Sequence, residues 1–416
     1  MKAAKIAGIG AFIAVTIYGC ASLKPNQLYI DVDTGNDTIF YSSSEIYKDY
    51  VTSEGWFTQS EGCISAEPSK KAAYQSEMGI DLQWDRTKAG CPWLGFGFGW
   101  DNWTGKDLSG IKNIAAVQFY VRMVEGERPA LPWAVGLEDF TGAQAWLGVT
   151  SNAIKAEKVT TEWTRVEMPL SEFNWEEQDA DVSNIKQIIF NTEADGHVYI
   201  DEIEIVPYSG GFRKRANVEH MTTEQFKVDG KMDDALWQVA PMTFGNNEVR
   251  LALQDDMICI ALKVKDNTPL QNSYSGKDVY NGDAFEIAFS TDKEASTRRS
   301  GYLSTDQQIG FALSSDGVKT WDWREERELK FINVQTALTD DGYIFEARIK
   351  LADLDAEAFE DGVLYGLEMA VDHGDISGRD HQELWNDPAN PGFHLNPSMW
   401  GEMYIMPESQ ALNSKD

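Results

Sequence analysis

Short runs of alternating apolar and polar residues, separated by turn clusters, recur along this chain and limit the folds open to it. Residues 248–266, EVRLALQDDMICIALKVKD, alternate on both sides of the turn Gln254-Asp255-Asp256. A period of two places successive side chains on opposite faces of a β-strand. Comparable runs recur in both halves, and long amphipathic helical patterns are absent. The pattern therefore predicts an all-β protein, with further strands at AAVQFYVRM, TRVEMPL, IKQIIFN, HVYIDEIEIV, AFEIAFS, QIGFALSSDGVKTWDW, DGYIFEARIKL and YGLEMAVD.

A Gly-rich, locally basic stretch divides the chain. Residues 209–217, SGGFRKRAN, lie inside an acidic protein and have the composition of a linker. They separate residues 28–208 from residues 218–407, and each segment has the size of a β-sandwich domain. We expect two tandem antiparallel β-sandwiches of jelly-roll or immunoglobulin-like type, flanked by a tether at 20–27 and a polar tail at 408–416.

The first residues, MKAAKIAGIGAFIAVTIYGC, have the pattern of a secretion signal covering residues 1–19. The apolar run at 6–18 is shorter than the ~20 residues that a membrane-spanning helix requires. The string IYGC resembles the bacterial lipoprotein box, which implies lipidation of Cys20; the alternative is an ordinary secretory signal with a chance cysteine. Ala21 stands where an inner-membrane retention signal usually has Asp. The resemblance therefore implies a lipoprotein of a Gram-negative outer membrane, on its periplasmic or surface side.

The charge balance excludes several kinds of partner. The chain has 36 Lys and Arg against 67 Asp and Glu, a formal net charge of −31. Such a surface repels the phosphate backbone of nucleic acids and anionic lipid headgroups. We therefore expect no nucleic-acid partner and contact with a membrane only through the lipid anchor.

The cysteines and histidines predict a disulfide and no metal cluster. Cys63 and Cys91 lie in the same N-terminal segment and are expected to pair after export. Cys259, in the apolar run MICIALKV, is expected to be a buried, inert thiol. The five histidines show no zinc-site spacing. We predict no cofactor, while the acidic loops leave a structural calcium ion open.

Catalytic motifs do not emerge from the sequence. Nucleophile-elbow, phosphate-loop and dinucleotide fingerprints are absent from strand-to-helix settings. With 67 acidic residues, a pair of carboxylates suited to glycoside hydrolysis arises by chance, so none is nominated. Two sandwiches also leave no residues for a separate catalytic barrel. These observations favour a binding protein over an enzyme.

The aromatic residues indicate what is bound. A flat ring at a surface suits the C–H face of a pyranose, and neighbouring polar side chains can bond its hydroxyls. In CPWLGFGFGWDNWTG, alternation places phenylalanines on one face and glycines on the other. Trp103, beside Asp101 and Asn102, is expected to be exposed. Trp321 and Trp323, two apart on a predicted strand, would share a face and form a platform.

The second half resembles carbohydrate-binding module family 9. The resemblance rests on five segments in the family's order, VDGKMDDALWQVAP, VYNGDAFEIAFS, DGYIFEARIKLADL, YGLEMAVD and RDHQELWNDPANPGFHLNPSMWGEMYI. It implies a sugar held between two aromatic rings, which fall on Tyr280 and Phe393, with polar partners at Asp283, Glu286 and Asn390. The alternative for Asp283 and Glu286 is that they accept backbone amides or hold a structural cation. Either this pair or the Trp321 and Trp323 platform is expected to face the glycan.

Two departures from the family pattern affect the ligand. Both clamp positions are usually tryptophan in that family, whereas this chain has tyrosine and phenylalanine. Polar residues that the family carries on two further strands fall on Gly310 and Ala370. The resemblance therefore implies the fold and a carbohydrate site, but not the identity of the sugar.

The first half resembles galactose-binding-like sandwiches, including carbohydrate-binding module family 11. The resemblance covers residues 84–206 through KDLSGIKNIAAVQFYVRM, EWTRVEMPLSEF and ADGHVYIDEIEIV. These segments contain mostly residues that build the fold. The resemblance implies a lectin-like sandwich without identifying ligand contacts.

Together these features predict a lipoprotein that holds a polysaccharide through two modules, in support of glycan-degrading enzymes. Two weak sites on one tether act as a stronger one, because the second contact forms at high effective concentration. A glycoside hydrolase component is one rival, since family 9 modules usually accompany such enzymes. A haem-binding redox domain using Met369 with His373, His381 or His394 is another. A purely structural envelope protein is the third.

Overall fold

The computed structural model describes residues 45–48, 50–51, 55–57, 62–88, 90–91, 93–100, 103–222, 224–330, 332–387 and 391–407. The chain divides into two compact units, one ending at Gly210 and the other beginning at Gly211, with Thr150–Asn152 grouped with the second. The all-β prediction is confirmed, since short 3-10 helices are the only helical elements in the described residues. Within this part of the chain, no helix is long and apolar enough to span a bilayer.

The first unit is built from two antiparallel sheets. Its strands are β1 (Glu45–Lys48), β2 (Tyr50–Val51), β3 (Gly55–Phe57), β4 (Ile64–Ser69), β5 (Gly79–Asp85), β6 (Leu94–Gly99), β7 (Ala115–Met123), β8 (Trp133–Asp139), β9 (Gln144–Gly148), β10 (Thr164–Pro169), β11 (Ile185–Thr192) and β12 (Asp195–Pro207), with 3-10 helices at Lys70–Ala72 and Leu170–Glu172. A seven-stranded sheet has the order β10-β7-β12-β1-β2, with β5 beside β12 and β4 beside β5. The five-stranded sheet has the order β3-β6-β11-β8-β9.

Aromatic side chains fill the space between these two sheets. Phe96 on β6 stacks on Phe190 on β11 with centroids 4.5 Å apart. Phe119, from the seven-stranded sheet, packs edge-on against Phe190 at 5.7 Å. Burial of each such ring contributes roughly 1.5–3 kcal/mol of transfer free energy. The phenylalanine face of β6 therefore points into the core and its glycine face points outward.

The cysteines lie at two contrasting positions. Cys63 and Cys91 form a disulfide with Cα atoms 6.4 Å apart. It joins the start of β4 to the segment that precedes β6. Cys259 is fully buried in the second unit. Burial raises the pKa of its thiol to about 11, so the thiol stays neutral.

The second unit contains one continuous sheet that folds over its own core. Its strands are β13 (Arg215–His220), β14 (Met242–Phe244), β15 (Asn247–Gln254), β16 (Met257–Lys265), β17 (Ala284–Ser290), β18 (Asp306–Ser314), β19 (Gly317–Asp322), β20 (Asn333–Thr339), β21 (Gly342–Lys350), β22 (Leu364–Asp375), β23 (Gly378–Leu384) and β24 (Gly401–Ile405), with 3-10 helices at Leu236–Gln238, Gly276–Asp278, Leu351–Leu354, Pro391–His394 and Pro397–Met399. The order is β19-β18-β17-β22-β24-β13-β15-β16-β21-β20, with β14 beside β15 and β23 beside β22.

Strand β13 connects the two halves of this sheet. Its residues 215–218 pair in parallel with β24, and Glu219 and His220 pair in parallel with β15. The segment assigned to the linker from its composition therefore ends in a strand from Arg215 onward. Composition alone did not indicate this strand, because main-chain groups make its pairing with β24 and β15 and composition does not specify them. Phe285 and Phe311 pack against Phe345 from the other half at 5.9 and 5.1 Å, forming a sandwich core.

Candidate functional site

The outer face of the five-stranded sheet in the first unit carries tryptophans that lie against glycines. A methyl group added at each glycine would come within 3 Å of an indole ring. The absence of a side chain at these positions therefore lets each ring approach the sheet backbone. The pairs are Trp93 over Gly95, Trp103 over Gly99 and Trp146 over Gly136.

The strand register places these three rings around one surface. Gly97 is opposite Ile189, Ile189 is opposite Gly136, and Gly136 is opposite Trp146. The glycines beneath Trp93 and Trp103 are four residues apart on β6, about 13 Å along the strand. Gly136 lies two strands away from β6, about 10 Å across the sheet. The surface is thus longer than a single pyranose ring.

Ring exposure differs among the three. Trp93 is 40% exposed, and Trp146 and Trp103 are half-buried. Asn174 fixes the edge strand at Trp146, because its Oδ1 accepts a hydrogen bond from the backbone N–H of Trp146 at 2.6 Å. This surface therefore presents ring area that is held in place by the sheet.

Polar side chains form one margin of the same face. Gln187 on β11 donates to Glu138 Oε1 at 2.8 Å, and Lys186 Nζ lies 2.7 Å from the same oxygen. Gln144 on β9 donates to the other oxygen of Glu138. The buried Oδ1 of Asn191 has no hydrogen-bond donor among the residues described. Together they offer donors and acceptors beside the indoles, as a sugar with several hydroxyls requires.

Trp103 does not project into solvent as the sequence suggested. It has a left-handed backbone conformation with φ of 62° and is half-buried with its ring over Gly99. The flanking residues 101–102 lie outside the described residues. Sequence reasoning missed Trp146, although the alternation in WAVGLED and QAWLG was visible, because their pairing depends on strand register.

A second aromatic cluster lies on the seven-stranded sheet. Tyr74 stacks on Tyr120 at 3.9 Å. The guanidinium of Arg122 lies 5.2 Å from the Trp163 ring and 4.6 Å from the Tyr199 ring. The faces of these rings pack against one another or against the guanidinium. They therefore offer a less open platform than Trp93 and Trp146.

In the second unit, the outer face of the sheet around β17 and β22 holds a buried pair of carboxyl groups. Glu286 is 4% exposed and Asp372 is fully buried. Gln382 on β23 donates to Glu286 Oε1 at 3.0 Å and to Asp372 Oδ1 at 2.9 Å. Arg379 Nη1 donates to the same Asp372 oxygen at 3.0 Å.

Burial controls the protonation of this pair. Desolvation and the neighbouring Asp372 carboxylate raise the pKa of Glu286 well above its ordinary value. Burial raises the pKa of Asp372 to about 6, against the opposing effects of Arg379 and Gln382. The pair as a whole therefore holds a proton more tightly than two exposed carboxyl groups would, and the stronger shift falls on Glu286.

Aromatic side chains lie on the part of the sheet near Glu286 and on the loops beside it. Glu286 is opposite Gly310, which is opposite the half-buried Trp321. Trp323 lies over Gly310 and donates from Nε1 to the carbonyl of Lys277 at 3.1 Å. Tyr280 is half-buried, with the Arg379 guanidinium 4.9 Å from its ring. The structure thus brings Tyr280, Trp321, Trp323 and Glu286 together in one region.

Phe393 does not join this region. Its side chain is 1% exposed and packs with Ala370, Leu384 and Trp400. The 3-10 helix that carries Phe393 lays the ring on the small side chains of the outer sheet face. The predicted clamp between Tyr280 and Phe393 is therefore wrong, and Asn390 lies outside the described residues.

Asp283 also has a structural position. It is fully buried, and its carboxylate accepts the amides of Gln271 at 2.8 Å and Gly374 at 2.7 Å. Burial raises its pKa to about 6. This side chain holds the loop before β17, which contradicts the expected contact with a sugar.

Of the three histidines of the haem alternative, two lie on strands and His394 ends the 3-10 helix Pro391–His394. His373 lies on β22 and His381 on β23, with parallel rings 4.5 Å apart. Met369 is fully buried in the sandwich core. Axial ligands must approach haem iron from opposite sides, which two stacked rings and a core methionine do not provide.

Comparison with protein families identifies both units. Residues 38–207 match the family model described as carbohydrate binding domain 30, and residues 221–407 match carbohydrate family 9 binding domain-like. The first match is to family 30, whereas the sequence of this half was expected to resemble family 11. Comparison with curated proteins returned no match.

Solved structures of carbohydrate-binding modules are also similar. A family 9 module from Caldicellulosiruptor kristjanssonii in complex with cellotriose shares 23% sequence identity with this chain. The match covers 46% of this chain and 94% of that chain, with a TM-score of 0.38. A family 30 module of a cellulosomal cellulase of Clostridium thermocellum has 18% identity, coverages of 39% and 95%, and a TM-score of 0.33. A family 11 module from Clostridium thermocellum, in complex with a beta-1,3-1,4-mixed-linked tetrasaccharide, has 14% identity, coverages of 37% and 86%, and a TM-score of 0.26.

The family matches confirm the predicted family 9-like second half and the prediction of carbohydrate binding. The chain is a carbohydrate-binding protein, with a family 30 domain at residues 38–207 followed by a family 9-like domain at residues 221–407.

Proposed function

We propose that this protein holds a polysaccharide without cleaving it, and that the outer face of the five-stranded sheet is its main glycan-facing surface. The observation that carries this proposal is the set of indoles lying over glycines, bordered by Gln187, Glu138 and Asn191. Flat apolar rings suit sugar C–H faces, and the polar margin suits hydroxyls. A polysaccharide fits this extended surface better than a monosaccharide does.

The region around Glu286 is proposed as a second, smaller site. Two adjacent carboxyl groups offer acceptors to sugar hydroxyls, and a carboxyl group that keeps its proton also offers a donor. Gln382 and Arg379 already satisfy part of this capacity. Trp321 and Trp323 would supply ring surface. This arrangement replaces the predicted pair of Tyr280 and Phe393.

We further propose that the chain is an outer-membrane lipoprotein anchored through Cys20. The support is the signal pattern ending in IYGC. An anchored pair of binding domains would keep glycan near degrading enzymes and gain strength from effective concentration. Cys20→Ala would shift the protein from the membrane fraction to the soluble fraction, whereas unchanged membrane association would contradict the anchor.

Affinity electrophoresis tests the binding proposal. The chain without residues 1–20 is run in native gels containing hydroxyethylcellulose or mixed-linkage β-glucan, and retardation relative to a glycan-free gel is expected. The same samples are assayed for reducing-sugar release, and none is expected. Release of reducing sugar would favour a glycoside hydrolase, and absence of retardation across a wider glycan panel would favour a structural envelope role.

A further inference from the structure

Two histidines and a glutamate of the second unit lie close together, away from the indoles described above. His373 on β22 is directly opposite His381 on β23. Glu383 follows His381 by two residues, so the two side chains share one face of β23. One nitrogen from each histidine and one carboxylate oxygen all lie within 4.8 Å of one another. The strand pairing, rather than a flexible loop, sets this arrangement.

We propose that His373, His381 and Glu383 bind a divalent transition-metal ion of the zinc class. Two imidazole nitrogens and one carboxylate oxygen form a ligand set that zinc accepts in tetrahedral sites. Imidazole also suits copper and nickel, whereas calcium and magnesium take oxygen ligands. The composition of the set therefore favours an ion of the zinc class over calcium at this position.

The surroundings of the three side chains suit a cation. They line a cavity of about 570 Å³ whose wall also contains the acids Asp266, Asp341, Asp375 and Asp380, against one lysine, Lys265. The resulting negative potential attracts positive ions. The cavity also leaves room for water to complete the coordination of the metal.

Neighbouring groups orient the proposed ligands. Asp380 Oδ2 lies 3.1 Å from His381 Nδ1, which leaves Nε2 for the metal. Asn247 donates to Glu383 Oε2. Carboxylate and amide partners of this kind fix ligand tautomer and orientation in metal sites.

The site would also stabilise β23. This strand pairs with β22 alone in the described sheet. Its intervening residue, Gln382, points to the opposite face and bonds Glu286 and Asp372. An ion bound to the native state and not to the unfolded chain raises the melting temperature of the second unit.

Zinc titration of the purified chain, made without a histidine tag and stripped with a chelator, tests the proposal. Calorimetry is expected to show one bound Zn²⁺ per chain, a raised melting temperature and no equivalent response to Ca²⁺. Co²⁺ is expected to produce visible d–d absorption. The exposed His381 allows His381→Ala with little risk to folding, and a loss of at least about tenfold in zinc affinity is expected. His394 is an exposed histidine outside the cluster, so His394→Ala serves as the matched control.

Three results would overturn the site. They are no zinc binding by the chelator-stripped chain, equal zinc affinity of His381→Ala and the unsubstituted chain, and calcium binding that displaces zinc at similar concentrations. Glu383→Gln, checked for native circular dichroism, provides a second variant and is expected to weaken zinc binding as well. None of these readouts uses a glycan, so they are independent of the carbohydrate sites.

Discussion

The Trp146 indole lies over the backbone of Gly136, its direct partner on the neighbouring strand. A methyl group at Gly136 would be 2.9 Å from three atoms of that ring. The close approach puts one ring face against the sheet. The half-buried state of Trp146 thus follows from a glycine on another strand.

Replacement of Trp146 or Trp93 by alanine is expected to weaken glycan binding. Each truncation removes a ring face held by the sheet and should cost about 2 kcal/mol, roughly 30-fold in Kd, if the ring is central to binding. Isothermal titration with the glycan that retards the protein best measures this change. Trp163→Ala is the control, because that ring is covered by Arg122. Equal losses in all three variants would contradict the choice of the five-stranded face.

Gly136→Ala is a subtler test of the same surface. The added methyl would push the Trp146 ring away from the sheet. Alanine also has less unfolded-state freedom than glycine, so this effect alone would stabilise a strand position by roughly 0.5–1 kcal/mol. We expect weaker glycan binding with little loss of melting temperature and an altered tryptophan fluorescence spectrum. Unchanged binding with unchanged fluorescence would show that the ring position does not matter.

Glu286→Gln is expected to change how stability depends on pH. The pKa of Glu286 is raised in the folded protein, so the folded state holds its proton more tightly than the unfolded chain does. The contribution of Glu286 to the free energy of unfolding is therefore fully present below its ordinary pKa of 4.5. It declines as the pH rises toward the pKa of Glu286 in the folded protein. Glutamine retains the donor and does not ionise.

The difference between the two proteins isolates this residue. The stability advantage of Glu286→Gln should grow by up to about 1.4 kcal/mol per pH unit while Glu286 remains protonated in the folded state. Urea unfolding monitored at pH values from about 5.5 to about 8 measures it. A difference that is constant over this range would show that Glu286 titrates normally.

Replacing Cys63 and Cys91 together by serine is expected to destabilise the first unit. The disulfide closes a segment of 28 residues, and its loss should reduce the free energy of unfolding by about 3 to 4 kcal/mol on the chain-entropy estimate. Calorimetry of the full chain measures the change. Cys259→Ser is a poor control because the site is buried, so reduction of the native protein with dithiothreitol provides the comparison. No shift in either condition would contradict a stabilising role.

Several features of this protein could be predicted from local sequence. Alternation on both sides of Asp255 correctly located the hairpin of β15 and β16, and Asp255 has the positive φ of 53° that such a tight turn uses. The glycine face of β6 was also visible. In both cases the signal lies within a few residues, because side-chain direction along a strand follows from its period.

Other features depended on residues far apart in the chain. Phe393 had the position expected of a clamp, yet the packing of its 3-10 helix on the sheet buried it. The scattered histidines gave no metal-site spacing, yet the pairing of β22 with β23 brought His373 and His381 together. Neither outcome is encoded in local spacing, since each requires knowledge of which strands are neighbours.

The sequence alone determined the all-β class, the two-domain organisation expected for the chain and the supply of aromatic and acidic groups, because composition and period are local properties. Which of those rings reach solvent, and which carboxyl groups are buried side by side, depended on the packing of strands that are distant in the sequence. The strands that pack around a residue set its exposure and desolvation, and those strands can be far apart in the sequence. Strand order and register place Trp146 on Gly136 and Glu286 near Asp372.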